Sequence, residues 1–454
     1  MIDRHRLASL LDRERALFAE RHPRSAAEYA RAGNLFGRVP MTWMNKAAAG
    51  FPLYLAEARG ARVTDVDGYE YTDFCLGDTA AMAGHSPDPV VAAVRERFGE
   101  LGGASAMLPT PDAAWVGAEL TRRFGVSRWS FALTATDANR WAIRLLRAVT
   151  GRPKILFNAY CYHGSVDESL IVTSPHGPRS REGNVGAPVD VTATSRVAEF
   201  NDVYGLEREL ANGDVAAVVM EPAMTNVGIV LPRPGYLEAV RELTRRYGTY
   251  LVNDETHTFS AGPGGATGLW GLDPDVVTIG KAIGGGIPAA AYGLSEELAQ
   301  KVQNTNNLDL IDMGGVGGTL AGNALSIAAT RATLEHVLTT AAYTHMSDLA
   351  KTFKVGVEAV IEEFDLPWTV TRLGARVEYR FARPAPTSGT ESAQAADADL
   401  EDFLHVYLAN RGILLTPFHN MALMCPDTTE EQVAEHSRIF RYAIEELTGR
   451  TGPS

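Results

Sequence analysis

Short apolar runs alternate with helix-period stretches from about residue 128 to 295. The runs are Trp129 to Leu133, Ile155 to Phe157, Val215 to Met220, Tyr250 to Asn253, Val276 to Ile279 and Ala289 to Leu294. Strands without a polar face, separated by helices, predict a mostly parallel sheet covered on both sides. The segment from Gly235 to Tyr247 shows the helical half of the pattern. Tyr236, Leu237, Val240, Leu243 and Tyr247 stripe one face, Glu238, Arg241, Glu242, Arg245 and Arg246 stripe the other, and Gly248 ends it. A further helix is expected from about Gly322 to Val337.

The flanks read differently. Residues 1–50 predict a charged amphipathic helix and an arm able to wrap a partner subunit, with Leu7, Leu10, Leu11 and Leu17 at roughly helical spacing. Residues 61–74 alternate apolar and polar positions around Asp67-Gly68, a hairpin signal. Asp88 and Pro89 predict an N-cap and a first helical position ahead of Val90, Val91, Val94 and Phe98. Beyond residue 337 a smaller α+β segment follows, with strand-like Ala375 to Tyr379 and, from Pro384 to Asp399, a polar stretch expected to be a surface loop. The expected organisation is an α/β fold: residues 1–75 as arm and small-domain segment, 76–335 as large domain, 336–454 as C-terminal small domain.

Composition narrows the class. Of 454 residues, 45% are hydrophobic and 21% charged, as in an ordinary globular protein. A formal net charge of −13 argues against nucleic acid or an anionic membrane surface as partner. Cys75, Cys161 and Cys425 fit neither a disulfide framework nor a zinc site, which points to a reducing, cytoplasmic setting. Met1 to Arg24 is dense in charge and reads as neither signal peptide nor membrane anchor.

Two charges stand where apolar runs stop. Tyr250 to Asn253 leads into Asp254, and Val276 to Gly280 leads into Lys281, followed by Gly284, Gly285 and Gly286. Taken singly, such residues are usually a cap and a solvated strand end. Together they suit pyridoxal phosphate, which needs a lysine amine for its aldehyde and a carboxylate to keep its pyridine nitrogen protonated. An opposite charge at contact raises such a pKa by about 1–3 units, roughly 1.4–4 kcal/mol. Thr134-Ala135-Thr136-Asp137 opens a helix with apolar face Trp141, Ala142, Leu145, Leu146 and Val149, so hydroxyls and amides head a positive helix end suited to phosphate. Gly284-x-Gly286-x-x-Ala289 fits a dinucleotide fingerprint by count, but Pro288 interrupts the helix that fingerprint needs. His257 has no second histidine at ligand spacing, so no metal is expected.

Asp254-Glu255, Thr278-Ile279-Gly280-Lys281, Gly284-Gly285-Gly286, Tyr162-His163-Gly164, Glu221-Pro222 and Gly318-Thr319, in that combination, resemble the class III pyridoxal-phosphate aminotransferases. The resemblance covers roughly residues 50–445 and leans toward the branch of glutamate-1-semialdehyde aminomutase and the β-amino-acid aminotransferases. It implies fold type I, with Lys281 forming the aldimine and shuttling a proton, and Asp254 pairing with the pyridinium. It further implies that Tyr162 stacks on one ring face and Thr256 packs near the other, that Ala135 and Thr136 bind phosphate, and that His163, Glu221 and Asn226 lie near the cofactor. Thr319 would complete the phosphate cup of the second subunit, so the resemblance implies a homodimer with its active site shared across the interface.

Departures from the family bear on substrate. A Ser-Gly-Thr-Glu-Ala turn is here Thr134-Ala135-Thr136-Asp137-Ala138, and Val-Met-Thr-Gly-Phe-Arg after Asp254-Glu255 is here Thr256-His257-Thr258-Phe259-Ser260. Near residues 41 to 44, where the aminomutases and β-amino-acid enzymes carry an arginine, stands Met41-Thr42-Trp43-Met44. Trp43 and Met44, with Phe418 or Trp270, would make an apolar entrance, and Arg376, with Arg38 behind it, is the candidate for a substrate carboxylate. The expected function is ping-pong aminotransfer from a hydrophobic amine or non-standard amino acid to a small 2-keto acid such as pyruvate. The alternative is an isomerase on the same scaffold: an aminomutase, or a racemase or epimerase.

Overall fold

The computed structural model describes residues 2–186, 189–305, 311 and 313–450, which divide into two compact units. One, the large unit, comprises residues 87–343 with 386–394; the small unit comprises 1–86, 344–385 and 395–454.

The large unit is built on seven strands: β1 (Arg128–Ala132), β2 (Lys154–Asn158), β3 (Ser195–Ala198), β4 (Val215–Met220), β5 (Tyr250–Asp254), β6 (Val276–Ile279) and β7 (Ala290–Leu294), in spatial order β1-β7-β6-β5-β4-β2-β3. All the neighbours from β6 to β3 are parallel; β7 runs antiparallel to both β6 and β1. Successive side chains go to opposite cores, which is why these strands carry no polar face. Ile155, Phe157, Ala217, Val219 and Val252 pack with Leu145 and Leu146 of helix α1 (Ala135–Thr150), whereas Leu156, Val218, Met220 and Leu251 pack with Leu206, Val240 and Leu243 on the other side.

β3 escaped the sequence pattern. It is a four-residue edge strand that opens on Ser195 and Arg196, and Arg196 spends its guanidinium on Asp214 and Glu209 instead of displaying apolar surface. The stretch from Pro384 to Asp399 is not simply a loop either. It contains a helix, Gly389–Gln394, in which Ser392 is buried and donates to the Val227 carbonyl, while Asn201 Nδ2 donates to the Thr387 carbonyl at 2.9 Å. Its small polar residues satisfy backbone groups of the large unit. Pro87, not Asp88, occupies the N-cap of Asp88–Val94.

In the small unit, Leu55–Arg59, Arg62–Asp65 and Glu70–Asp73 form an antiparallel meander joined by Ile413–Leu414, and Thr369–Leu373, Arg376–Arg380 and Met421–Leu423 form a second sheet. The expected arm begins as a helix, Arg4–Arg21, that packs on its own chain against Ala398–Ala409, burying Leu7, Leu11 and Phe18. Its buried Glu14 is held by Asn410 and Arg411, at 2.8 and 3.0 Å.

Candidate active site

The carboxyl edge of the parallel strands collects the chemistry. Asp254 ends β5 on the same face as Val252, and in register with Thr278 of β6, so both side chains point toward helix α1. There Asn139, one helical turn beyond Ala135, bridges them: its Nδ2 donates to Asp254 Oδ2 at 2.8 Å, and its Oδ1 accepts from the Thr278 hydroxyl at 2.6 Å. His163 Nδ1 donates to the same Oδ2 at 2.8 Å, and the Thr256 amide to Oδ1 at 3.0 Å.

Burial alone would raise the Asp254 carboxyl, but the hydrogen bond and charge of His163, with Thr256 and Asn139, hold it at about 2. On His163, burial pushes the imidazole down, yet the neighbouring Cys161 and the bond to Asp254 carry it well above the usual histidine range. The result is a buried carboxylate fixed as an anion, oriented by three donors.

Lys281 follows β6 through Gly280 and begins a short 3-10 turn, Lys281–Gly284, with its own φ at +52°. A left-handed lysine is uncommon and costs on the order of 1 kcal/mol or more, so the surrounding structure dictates it. At Gly280 a Cβ would come within 3.0 Å of the Ala135 Cβ, so glycine there lets the head of α1 press against the residue before the lysine. Thr134 caps α1, accepting from the Asp137 amide at 3.1 Å, and Thr136 Oγ1 accepts from the Ser165 amide at 3.2 Å. Gly164, at φ +82°, lies so close to Thr136 that a Cβ would collide with it. Ala135, Thr136, His163, Asp254 and Lys281 thus meet around one strand edge, and Tyr162 beside them is exposed.

Glu221, directly after β4, is buried and takes the amide and hydroxyl of Thr225. Burial lifts its carboxyl from 4.5 to about 7 against the pull of Thr225, with His163 lowering it and Asp254 raising it through their charges. The folded state therefore holds a proton that the unfolded chain releases above about pH 4.5, so stability falls between pH 4.5 and 7 and stays lower above that, by about 3 kcal/mol. Glu221→Gln should remove this cost: denaturant titrations should show the variant gaining about 2–3 kcal/mol on the parent between pH 4.5 and pH 8. A pH-independent difference would contradict the buried proton.

Asn226 Nδ2 donates to the Tyr160 carbonyl at 2.9 Å, and Thr319 is exposed. Among the described residues no group of three or more His, Cys, Asp or Glu could hold a metal ion. Sequence reasoning missed Asn139, whose signal is its place four residues after Ala135 on the same helix face, and the position of His257, whose Nε2 stands 3.0 Å from Lys281 Nζ.

The remaining predicted residues belong to the small unit, except Trp270. Trp43 meets Phe418 edge to face at 6.3 Å, beside a cavity of about 610 Å³ lined by Val39, Trp43, Met44, His405 and Leu415. Trp270 instead lines a cleft of the large unit with Leu237, Arg241 and Asp273. Arg376 is fully buried, hydrogen-bonded to Thr79 and 3.8 Å from Asp78; Arg38 is exposed over the Tyr29 ring.

Residues 43–444 match the family described as aminotransferase class-III. The chain belongs to the class III aminotransferases. It is a pyridoxal-phosphate-dependent enzyme of fold type I. This family member is 32% identical over 409 residues to a glutamate-1-semialdehyde 2,1-aminomutase of Anaeromyxobacter dehalogenans, covering 88% of this chain and 92% of that protein. A solved glutamate-1-semialdehyde-aminomutase from Pseudomonas aeruginosa PAO1 matches with TM-score 0.95 at 47% identity, over 98% of this chain and 99% of the other. A variant of that Pseudomonas protein has been solved in complex with PMP. An omega-transaminase from Sphaerobacter thermophilus matches with TM-score 0.84 at 28% identity, over 93% and 97% of the two chains. No described helix of this class III chain is long and apolar enough to cross a membrane.

Proposed function

We propose that this class III enzyme is an aminotransferase that takes its amino group from a hydrophobic amine or non-standard amino acid and gives it to a small 2-keto acid such as pyruvate. The residues present fit the cofactor: a buried anionic carboxylate, a lysine just past the end of the adjoining strand and a capped helix N-terminus meet at one sheet edge. Lys281 would hold the cofactor, Asp254 its ring nitrogen, Ala135 and Thr136 its phosphate, and Tyr162 and Thr256 its two faces, with His163 and Glu221 around them. When bound, the cofactor supplies an electron sink that makes the proton beside the amine acidic. Lys281 Nζ carries that proton between carbons, and Asp254 keeps the sink charged. A homodimer is part of the proposal, with Thr319 of each subunit serving the other's phosphate.

The observation that carries the choice of donor is the Met41–Met44 stretch. Trp43 and Met44 border a mostly apolar cavity that Lys46 also lines, Trp43 packs on Phe418, and no arginine stands among these four residues. Arg376, buried and hydrogen-bonded to Thr79, is proposed to receive the keto acid's carboxylate, and Trp43 the donor's apolar side.

A second reading, an aminomutase, is favoured by the names of the relatives above. Both use Lys281 and Asp254; only the aminotransferase needs an acceptor. The test is to mix cofactor-loaded enzyme with a panel of amines and amino acids without acceptor and follow cofactor absorbance in single turnover. Stoichiometric conversion to the amine form, reversed by pyruvate, is the expected result. A spectrum that returns unaided while the substrate isomerises would replace aminotransfer by the aminomutase reading.

A further inference from the structure

We propose that His257 is a further catalytic residue, the base that takes a proton from the Lys281 ammonium so that Nζ can attack the cofactor's aldehyde. The inference rests on the assignment of the cofactor to Lys281. Two observations carry it. Lys281 Nζ and His257 Nε2 are 3.0 Å apart, within the reach of direct proton transfer. Both partners are held by their backbones. His257 lies between Asp254 and Thr258, two anchored residues: the Phe259 amide bonds the Glu255 carbonyl at 2.8 Å, and the buried Glu255 carboxylate gathers Thr258 Oγ1 and the amides of Ala266 and Thr267. The His257 carbonyl itself accepts from Ser260 Oγ at 2.9 Å. On the other side, the left-handed backbone of Lys281 fixes where its side chain starts.

The chemistry needs such a group. An ammonium has no electron pair to donate, so a protonated lysine nitrogen must lose a proton before it can attack a carbonyl carbon. In the proposed step one Nζ–H bond breaks and an Nε2–H bond forms. Lys281 becomes a neutral amine, His257 becomes imidazolium, and the proton then passes to solvent. No redox partner is involved. Whenever Lys281 is released as an ammonium, the same transfer resets it.

The test is the covalent capture of pyridoxal phosphate by cofactor-free protein, followed by stopped-flow absorbance for the parent, His257→Gln and His257→Ala. Glutamine keeps a polar group beside Nζ but is no base. Capture should slow about 10- to 100-fold in both variants, short of the largest general-base effects because water can substitute. Added imidazole should accelerate capture in His257→Ala and leave the parent unchanged. Capture at the parental rate in both variants would overturn the proposal. Borohydride reduction of the parent and of Lys281→Ala separates the two levels: if the parent forms no reducible bond that Lys281→Ala abolishes, the cofactor assignment itself fails. If it does, and the His257 variants match the parent, only the role of His257 fails.

Discussion

Lys281→Ala is expected to abolish turnover, by at least about four orders of magnitude, while leaving the protein folded. Two functions disappear with the side chain: the amine that holds the cofactor and the base that moves a proton between carbons. The groups around Asp254, an amide, an imidazole and a backbone N–H, fix a carboxylate, and none of them is an amine that could hold the cofactor. The fold should survive, because alanine at φ +52° inherits a backbone the lysine already occupies and the turn's bonds are main-chain. Two measurements check this: steady-state turnover with any accepted donor, and mass spectrometry after borohydride reduction, which should find the parent labelled on Lys281 and the variant unlabelled. Activity within tenfold of the parent would remove Lys281 from its role.

Asp254→Asn should damage chemistry and stability by separate routes. The amide nearly matches the carboxylate in shape but loses its charge, and the cofactor's ring nitrogen would lose a pKa elevation of about 1–3 units, slowing proton abstraction about 10- to 1000-fold. The amide also puts an NH2 group where the carboxylate accepted from Asn139, His163 and the Thr256 amide, leaving buried donors facing donors. A loss of about 2–4 kcal/mol follows, visible as a lower denaturation midpoint. Capture of the cofactor by Lys281 should persist. An unchanged single-turnover rate would take Asp254 out of the electron-sink role, and an unchanged midpoint would mean that its three donors find other partners.

The particular residues explain how far the sequence could be read. β4, β5 and β6 were legible because they are buried on both faces, and a strand with no wet side has no reason to alternate. Asp254 and Lys281 could be placed together for a related reason: each follows such a run, alone an ordinary cap or strand end, but as a pair two opposite charges at one sheet edge. β3 was hidden because an edge strand tolerates Ser195 and Arg196, and the helix Gly389–Gln394 because its polar residues bond to backbone rather than to water. Asn139 and His257 acquire their roles only through juxtaposition. Asn139 reaches two strands from a helix, and His257 meets a lysine from another strand's turn, relations that local spacing does not encode. The N-terminal helix was visible as a helix, but which protein surface it would cover was not.

Because β7 runs against its neighbours, the chain returns to the sheet directly after the lysine. Ile279 and Ala291 are themselves cross-strand partners, so residues 280–289 form a short loop tied to the sheet at both ends. Such a loop cannot fray from one side, and the amine it presents cannot drift away through partial opening. A chain that has kept its sheet has therefore also kept both anchor points of the loop that carries its nucleophile.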